Sequence, residues 1–313
     1  MISFILRRLG AGLVLIFVVT VITFALTYGA NIPVARNILG PSATDAQVAA
    51  LTSHLGLNRP LIEQYWSWIS GVFHGDLGTS YFTNQPIAAA LGDRLPVTLS
   101  IVIFASILTL VISTGLGVAS AVRGGALDAA LQAITVITYV FPGLILAIAL
   151  VYVFAINLHW VPAVGFTPIQ ESVPGWFASA VLPAIVLSIS SIAALAAQVR
   201  GSVVDELGRD YVRTLRSRDV SEGSILFKHV LRNAAGPALT TFSLQFVSMF
   251  GAALFIERIF ALPGFGTYAF SSTLSGDLPA MLGVTLFGVG LVVVVNLIVD
   301  LATGWLNPKA RLA

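Results

Sequence analysis

Six long apolar stretches of this chain, each of 18 or more residues, contain no Asp, Glu, Lys or Arg. They are residues 9–26, 97–122, 129–156, 178–199, 234–256 and 281–299. A helix needs about 20 apolar residues to cross a bilayer, and each stretch is close to or beyond that length. Backbone amides in hydrocarbon must be hydrogen-bonded within the segment, and the alternating ten-residue pattern of a barrel is absent. The sequence therefore predicts an all-α polytopic membrane protein with six transmembrane helices.

The composition indicates that lipid, rather than water, surrounds most of the chain. Hydrophobic residues make up 57% of it and charged residues only 10%, whereas a soluble domain carries about 25% charged residues. The net charge of +2 is too small to indicate a nucleic-acid partner. The absence of cysteine excludes disulfides and thiolate metal sites, and four scattered histidines without a His-Glu-x-x-His spacing predict no metal centre.

The first stretch resembles a signal peptide, because Arg7 and Arg8 precede an apolar run. Its 18 apolar residues exceed the usual core of about 7–15, and Tyr28, Gly29 and Ala30 form a poor cleavage site. An uncleaved first helix is therefore expected.

The basic residues predict the topology, because cytoplasmic segments carry an excess of Lys and Arg. Twelve basic residues share a side with the N-terminus and four lie in the other segments. The twelve are Arg7, Arg8, Arg123, Arg200, Arg209, Arg213, Arg216, Arg218, Lys228, Arg232, Lys309 and Arg311, and the four are Arg36, Arg59, Arg94 and Arg258. Both termini are therefore predicted to be cytoplasmic.

The spans divide the chain into four predicted regions. They are a first transmembrane helix at residues 1–29, an extracytoplasmic helical region at 30–96, a five-helix transmembrane core at 97–305 that includes a cytoplasmic loop at 200–236, and a cytoplasmic tail at 306–313.

The outer region is predicted to contain short helices. One covers residues 44–55, and another, residues 87–95, is expected to lie along the membrane before Pro96. Pro60 suits the first position of a third helix, whose predicted apolar face is Leu61, Tyr65, Trp68, Ile69, Val72 and Phe73. Such a face suits either a cap resting on the bilayer or a platform for an extracytoplasmic partner, and the sequence leaves both interpretations open.

The inner loop is the only strongly charged part of the chain. Leu207, Tyr211 and Leu215 recur at the spacing of one helix face. Asp219 and Glu222 then have the spacing of a capping box that starts a second helix. The apolar side of that helix is predicted to be Ile225, Leu226, Val230 and Leu231. The loop is therefore predicted to be a helix, a sharp turn and a second helix, a form suited to lie in the groove of a partner.

The loop sequence resembles that of a known transporter family. Residues 210–221 read Asp-Tyr-Val-Arg-Thr-Leu-Arg-Ser-Arg-Asp-Val-Ser, and residues 228–234 read Lys-His-Val-Leu-Arg-Asn-Ala. This resembles the EAA loop of binding-protein-dependent ABC importers in its peptide-permease form, Tyr-Val-Arg-Thr-Ala-Arg-Ala-Lys-Gly-Leu-Ser, continuing into Lys-His-x-x-x-Asn-Ala. Further resemblances to this family lie at residues 55–60, 75–80, 94–99, 160–162, 257–266 and 307–311.

Two positions depart from the family pattern. Leu215 replaces an alanine, and Asp219 replaces a glycine that permits a backbone turn. Aspartate is a tolerated substitute there, because it can cap the following helix or adopt the left-handed conformation.

The resemblance implies a type I ABC importer permease fold in the dipeptide/oligopeptide permease family, most similar to the first of its two permease subunits. Such a chain is a multi-pass subunit of the bacterial plasma (inner) membrane. Its implied partners are a second homologous permease, one or two ATPase subunits, an extracytoplasmic substrate-binding protein and membrane lipid. The residues implied to dock in the ATPase and couple its closure to the spans are Arg213, Thr214, Leu215, Arg216, Asp219, Val220, Ser221 and Glu222.

The chain is not expected to be an enzyme. A phosphate loop needs the pattern G-x-x-x-x-G-K-[ST], and neither Lys228 nor Lys309 follows a glycine. ATP and Mg are expected to bind to the partner ATPase, so no cofactor is expected in this chain.

Three residues inside spans are candidates for the substrate pathway. Phe141 and Pro142 precede Gly143 at a predicted kink, and Gln245 is a polar group in the fifth span. A static kink and helix packing are the more common explanations of such residues. Peptides are the implied substrate, but relatives also handle nickel chelates, glutathione or haem, and nothing in the spans identifies a ligand.

Two other classes of protein remain alternatives. A secondary, ion-coupled transporter of small solutes would place ionisable groups at the centre of its spans, and these spans have none there. An intramembrane hydrolase would need a nucleophile with a base or a pair of aspartates, and Asp300 has no companion in the sequence.

Overall fold

The structure is a computed structural model that describes residues 2–30, 32–140 and 143–306. In this part of the chain the regular structure is helical, and the only β pairing is an isolated bridge between Thr79 and Pro86. The α-helices are α1 Ile2–Gly29, α2 Val34–Leu39, α3 Asp45–His54, α4 Leu61–Phe73, α5 Ile87–Arg123, α6 Gly125–Val140, α7 Gly143–Leu150, α8 Val173–Leu207, α9 Asp210–Ser217, α10 Glu222–Ser224, α11 Leu231–Ile259, α12 Phe265–Ser275 and α13 Leu278–Leu306. Two π-helical segments, Val151–Asn157 and Ile225–Val230, continue α7 and α10.

The predicted spans fall within the long apolar helices. Five helical segments in the described residues are long and apolar enough to cross a membrane, Ile5–Gly29, Ile87–Arg123, Val173–Leu207, Glu222–Ile259 and Leu278–Gly304. The third predicted stretch is interrupted, and its two parts, Gly125–Thr138 and Gly143–Asn157, form a sixth span if they cross together. The all-α polytopic prediction is therefore confirmed. Of the residues predicted to kink this span, Phe141 and Pro142 lie outside the described part.

The second span differs from its prediction at its beginning. Residues 87–95 are helical as predicted, but they do not form a separate helix, because α5 runs without a break through Pro96 to Arg123. Proline removes one backbone hydrogen bond from a helix but already has a helical φ. Such an interruption is tolerated in membrane helices, and the prediction that Pro96 ends a surface helix is wrong.

The described chain folds into two compact units. The first contains Thr98–Leu262 with residues 2–5 and 295–306, and the second contains Leu6–Val97 and Pro263–Val294.

In the first unit, α8 packs against α5, α6, α7 and α11. Gly117 of α5 lies so close to α8 that an added Cβ would be 2.7 Å from the carbonyl oxygen of Ala196 and 2.8 Å from Cβ of Val199. Arg200 of α8 forms an ion pair with Asp128 of α6. Helix α8 is therefore held by close backbone packing on one neighbour and by charge on another.

Buried polar groups join distant parts of the same unit. Glu257 is fully buried in α11 and accepts a hydrogen bond from the hydroxyl of Thr98 at the start of the unit. Ser243 of α11 donates to Oδ1 of Asn296 in α13 at 2.5 Å. These bonds satisfy groups that would be costly to bury alone.

In the second unit, a buried carboxylate holds the loop before α5. Asp277, between α12 and α13, accepts a hydrogen bond from Oγ of Ser80 at 2.5 Å and from the backbone N–H of Tyr81 at 3.2 Å. Ser80 also accepts from the backbone N–H of Thr83 at 3.0 Å. The loop between α4 and α5 is therefore ordered by a side chain almost 200 residues away in the sequence.

Two of the predicted short helices, α3 and α4, lie between the first two spans. Helix α3 begins after Thr44, whose hydroxyl accepts from the backbone N–H of Gln47 while the Gln47 side chain accepts from the backbone of Thr44, a complete capping box. Helix α4 begins one residue later than predicted, because Pro60 occupies the N-cap position. Of the predicted apolar face of α4, Tyr65 is buried, whereas Phe73 remains exposed.

The close approach of α5 and α8 makes a testable prediction. We expect Gly117→Ala to lower the stability of the protein by about 1–3 kcal/mol, because the new methyl group would overlap the carbonyl of Ala196 and the side chain of Val199. The measurement is thermal unfolding of the detergent-purified chain, followed by tryptophan fluorescence.

Gly115→Ala is the matched control on the same helix. An added Cβ at Gly115 meets nothing within 4 Å, so this change should leave the unfolding temperature unchanged or raise it slightly. Equal behaviour of the two variants would contradict the close packing of α5 on α8.

Candidate functional site

The candidate site is the charged hairpin, defined as residues 208–230 between α8 and α11. Helix α8 ends at Leu207 and α9 begins three residues later, because Arg209 has an extended backbone with φ −76° and ψ 150°. The prediction that Leu207, Tyr211 and Leu215 lie on one helix is therefore wrong. All three side chains nevertheless pack against the same apolar cluster, so the predicted apolar side is confirmed.

Helix α9 ends in a Schellman turn. Asp219 has a φ of +56°, in the left-handed region. The backbone N–H of Val220 bonds to the carbonyl of Leu215 at 3.2 Å, and that of Asp219 bonds to the carbonyl of Arg216 at 3.1 Å. Leu215 and Val220, the two positions whose apolar contact commonly accompanies this motif, also pack against the same cluster. The turn reverses the chain within a few residues of the end of α9.

The predicted capping box of Asp219 and Glu222 is wrong. Asp219 cannot have the extended conformation of an N-cap while it occupies the left-handed position that ends α9. The N-cap of the second helix is Ser221, with φ −60° and ψ 141°. The other possibility for Asp219, the left-handed conformation of the glycine that it replaces, is confirmed.

Glu222 pairs with the helix before the turn. Its two carboxylate oxygens accept hydrogen bonds from Nε and Nη2 of Arg216 at 2.7 Å and 3.1 Å, a bidentate contact. This contact raises the pKa of the Arg216 guanidinium further above its usual range. The exposed pair therefore joins the two arms of the charged hairpin across the turn.

The hairpin is attached to the spans by an apolar cluster. Val212 of α9 and Ile225 and Val230 of the second arm are completely buried. Burying each of these side chains contributes about 1.5–3 kcal/mol. The cluster is completed by residues of α8 and α11, namely Leu195, Val199, Val203 and Ala234. Helix α9 is therefore packed on two membrane helices.

The predicted docking residues divide into two groups. Six are exposed on the hairpin surface and are available to a partner: Arg213, Thr214, Arg216, Asp219, Ser221 and Glu222. Leu215 and Val220 are half-buried and pack against the cluster. These two side chains hold the turn, and the six exposed docking residues form a polar surface.

A hydrogen-bonded network that the sequence analysis missed holds the start of α9. The hydroxyl of Tyr211 donates to Oε2 of Glu206 at 2.9 Å and accepts from Nδ2 of Asn233 at 3.3 Å. Burial raises the pKa of the Tyr211 phenol, so the group remains a neutral donor at physiological pH. Glu206 also pairs with Arg209 at 2.8 Å. Tyr211 and Asn233 both lie in the motifs that resemble the family loop, and this shared position was the signal in the sequence that could have indicated the network.

Of the three candidate pathway residues, the structure describes only Gln245. Gln245 is half-buried on α11, and Phe141 and Pro142 lie outside the described residues. An apolar cavity of about 300 Å³ lies between α7, α8 and α11, with Ser190 and Phe255 among its lining residues. Gln245 does not line that cavity.

Comparison with known proteins identifies the family. Residues 113–312 match the family described as "Binding-protein-dependent transport system inner membrane component", and residues 1–102 match the N-terminal family of the same membrane components. The chain is 36% identical over 309 residues to a probable peptide ABC transporter permease protein of Sinorhizobium fredii, covering 98% of this chain and 99% of the relative.

Two further relatives match over nearly their whole length. A putative peptide transport system permease protein of Brucella abortus is 34% identical over 312 residues, and the glutathione transport system permease protein GsiC of Escherichia coli is 33% identical over 314 residues. Each alignment covers 99% of this chain and 99% of the relative. With its helical spans, the chain therefore belongs to the inner-membrane permease components of binding-protein-dependent transport systems.

Proposed function

We propose that this chain forms part of the membrane pathway of an ATP-driven peptide importer and that its charged hairpin couples the ATPase to the spans. The observation that carries the proposal is the position of α9. Its polar surface is open, while Val212 on its other side is buried among residues of α8 and α11. An ATPase that holds the polar surface would therefore act on both helices.

The packing of the hairpin suits this role. Protein interiors are close-packed and transmit displacement rather than absorbing it. The Schellman turn and the Tyr211 network hold α9 at both ends. A short helix presented in this way is suited to lie in a groove of a partner. Movement of that groove would then be carried into the spans, which alternate between two states.

The rest of the assembly follows from the family and the charge pattern. The excess of basic residues supports a cytoplasmic position for the charged hairpin and both termini. The proposed partners are a second homologous permease, ATPase subunits that bind ATP and Mg, and an extracytoplasmic binding protein. In this division of labour the chain has no catalytic residues and no cofactor of its own.

Peptides are the proposed substrate. Two of the relatives described above are named for peptide transport and one for glutathione transport, and glutathione is itself a peptide. These names also disfavour the alternative of a secondary transporter. The pathway residues proposed from the sequence, Phe141, Pro142 and Gln245, retain that assignment as a hypothesis.

The energy source can be tested with the reconstituted transporter. Uptake of a labelled dipeptide or tripeptide into proteoliposomes should require ATP on the ATPase side and should continue when ionophores collapse the proton and sodium gradients. The purified chain alone should neither bind nor hydrolyse ATP. Gradient-driven uptake by this chain alone would identify a secondary transporter instead.

The docking surface can be tested by adding bulk to it. We expect Ser221→Trp to abolish co-purification of the ATPase subunits and ATP-dependent uptake, because Ser221 is exposed beside the turn and a large side chain would obstruct the groove. Membrane insertion should be unchanged. The matched control is Ser53→Trp on α3, an exposed serine in the outer region, which should retain the ATPase. Retention of ATPase and uptake by Ser221→Trp would contradict the docking assignment.

The left-handed turn predicts a stabilising substitution. Asp219→Gly should stabilise the charged hairpin by about 1 kcal/mol, because glycine adopts a positive φ without the penalty that a Cβ imposes. Hydrogen exchange of the α9 amides should slow about fivefold, the equivalent of that free energy. Asp219→Ala removes the carboxylate but keeps the Cβ, so it should not slow exchange. Equal slowing in both variants would attribute the effect to charge instead.

A further inference from the structure

Helix α4 has three distinct faces along its length. One face is directed into the second unit and contains Gln64, Tyr65, Trp68 and Val72. The other two faces are exposed. An apolar stripe consists of Ile62, Trp66 and Phe73, and a polar stripe consists of Glu63, Ser67, Ser70 and His74.

The apolar stripe is narrow and strongly exposed. At 100° per residue its three side chains fall within an arc of about 40°, next to the buried face. The exposed fractions are 68% for Ile62, 60% for Trp66 and 83% for Phe73. An amphipathic helix that had only water beside it would not be expected to expose three large apolar groups in one line.

The buried face places α4 beside a membrane span. The hydroxyls of Tyr65 and Thr20 are 3.3 Å apart, and the Tyr65 ring contacts the rings of Phe17 and Phe24 edge-on at centroid distances of 6.4 Å and 5.2 Å. Trp68 also packs against the cluster that contains Phe24. All of the contacted residues of α1 lie inside its apolar span, Ile5–Gly29.

The contacts also indicate the depth of α4. Thr20 precedes Gly29, the last residue of α1, by nine residues, which is about 14 Å along a helix. The hydrocarbon half-thickness of a bilayer is about 15 Å. The hydroxyl of Tyr65 therefore reaches deep into the leaflet at the Gly29 end, while the Phe24 ring that the Tyr65 ring also contacts lies five residues, or about 8 Å, from Gly29. Phe17 of α1 is itself 53% exposed, so the apolar surface of the span continues to α4.

We propose that α4 is an interfacial membrane helix whose apolar stripe inserts among lipid acyl chains of the leaflet at the Gly29 end of α1. The polar stripe then faces headgroups and water. At 13 residues α4 is too short to cross the bilayer, and Trp66 is a residue type that favours the membrane–water interface. The occupant is lipid because the stripe adjoins the exposed apolar surface of a span.

The chain contains no cysteine, so single nitroxide labels can be placed without removing native thiols. Ile62→Cys and Phe73→Cys place a label in the apolar stripe, and Ser67→Cys and Ser70→Cys are matched controls on the polar stripe. The labelled transporter is reconstituted into vesicles of phosphatidylethanolamine and phosphatidylglycerol. Power-saturation EPR then compares collisions of each label with oxygen and with a water-soluble nickel chelate.

The expected result is higher accessibility to oxygen than to nickel at residues 62 and 73 and the reverse at residues 67 and 70. Preferential access of nickel at residues 62 and 73 would overturn the proposal in favour of a surface open to a soluble partner. Inaccessibility of both positions to both reagents would overturn it in favour of a protein partner, such as a second permease.

A second measurement, which uses the native tryptophan fluorescence, tests the same proposal if a cysteine variant does not fold. Brominated phospholipids should quench a component of the native tryptophan fluorescence that is missing in Trp66→Phe, a conservative change at an exposed site. An identical fraction of quenching in the native chain and in Trp66→Phe would place Trp66 away from the acyl chains and overturn the proposal.

Discussion

Val212 is enclosed on all sides, and its neighbours belong to helices that cross the membrane. This contact gives the charged hairpin a defined position, because a polar helix of eight residues has little stability of its own. Ile225 and Val230 enter the same cluster from the other arm of the turn. The apolar cluster therefore holds one side of α9, and the polar side chains on its other side stay exposed.

The same cluster also connects the charged hairpin to a third helix of the first unit, α5. Val199 of α8 lies in it together with Val212, and it also packs against Gly117 of α5 at a distance that leaves no room for a Cβ. Val118 and Ala121 of α5 contact the cluster as well. A contiguous set of packed side chains thus runs from α9 through α8 to α5. Such a network is the physical form that coupling between a partner and a pathway would take.

The sequence predicts those features of the architecture whose physical cause lies within a few residues of the signal. The spans follow from the absence of charge, and the apolar side of the second arm follows from the spacing of Ile225, Leu226, Val230 and Leu231. The capping box of α3 involves Thr44 and Gln47 alone, and its helix is found where it was predicted. In each case the signal and its cause lie within a few residues of each other.

The failures have a different origin. Pro96 does not end a helix, because a membrane helix tolerates the missing hydrogen bond. Asp219 satisfied two local rules equally, and only the packing of Leu215 and Val220 selects the left-handed conformation. Tyr211 and Asn233 are 22 residues apart, and their contact exists only after the hairpin has closed. Sequence reasoning therefore located the hairpin and its apolar sides but could not determine the conformation of its turn or the contact between Tyr211 and Asn233.

The buried carboxylates are a further feature that depends on contacts between distant parts of the sequence. Asp277 and Glu257 each accept a hydrogen bond from a hydroxyl far away in the sequence, Ser80 and Thr98 respectively. A buried carboxylate deprived of its donors is costly, so each bond strongly favours one arrangement of the segments that it joins. Each lies within a single unit and outside the charged hairpin. The two units are thus each held together internally by such bonds, whereas the exposed surface of α9 is polar and is joined to the second arm by the Arg216–Glu222 pair.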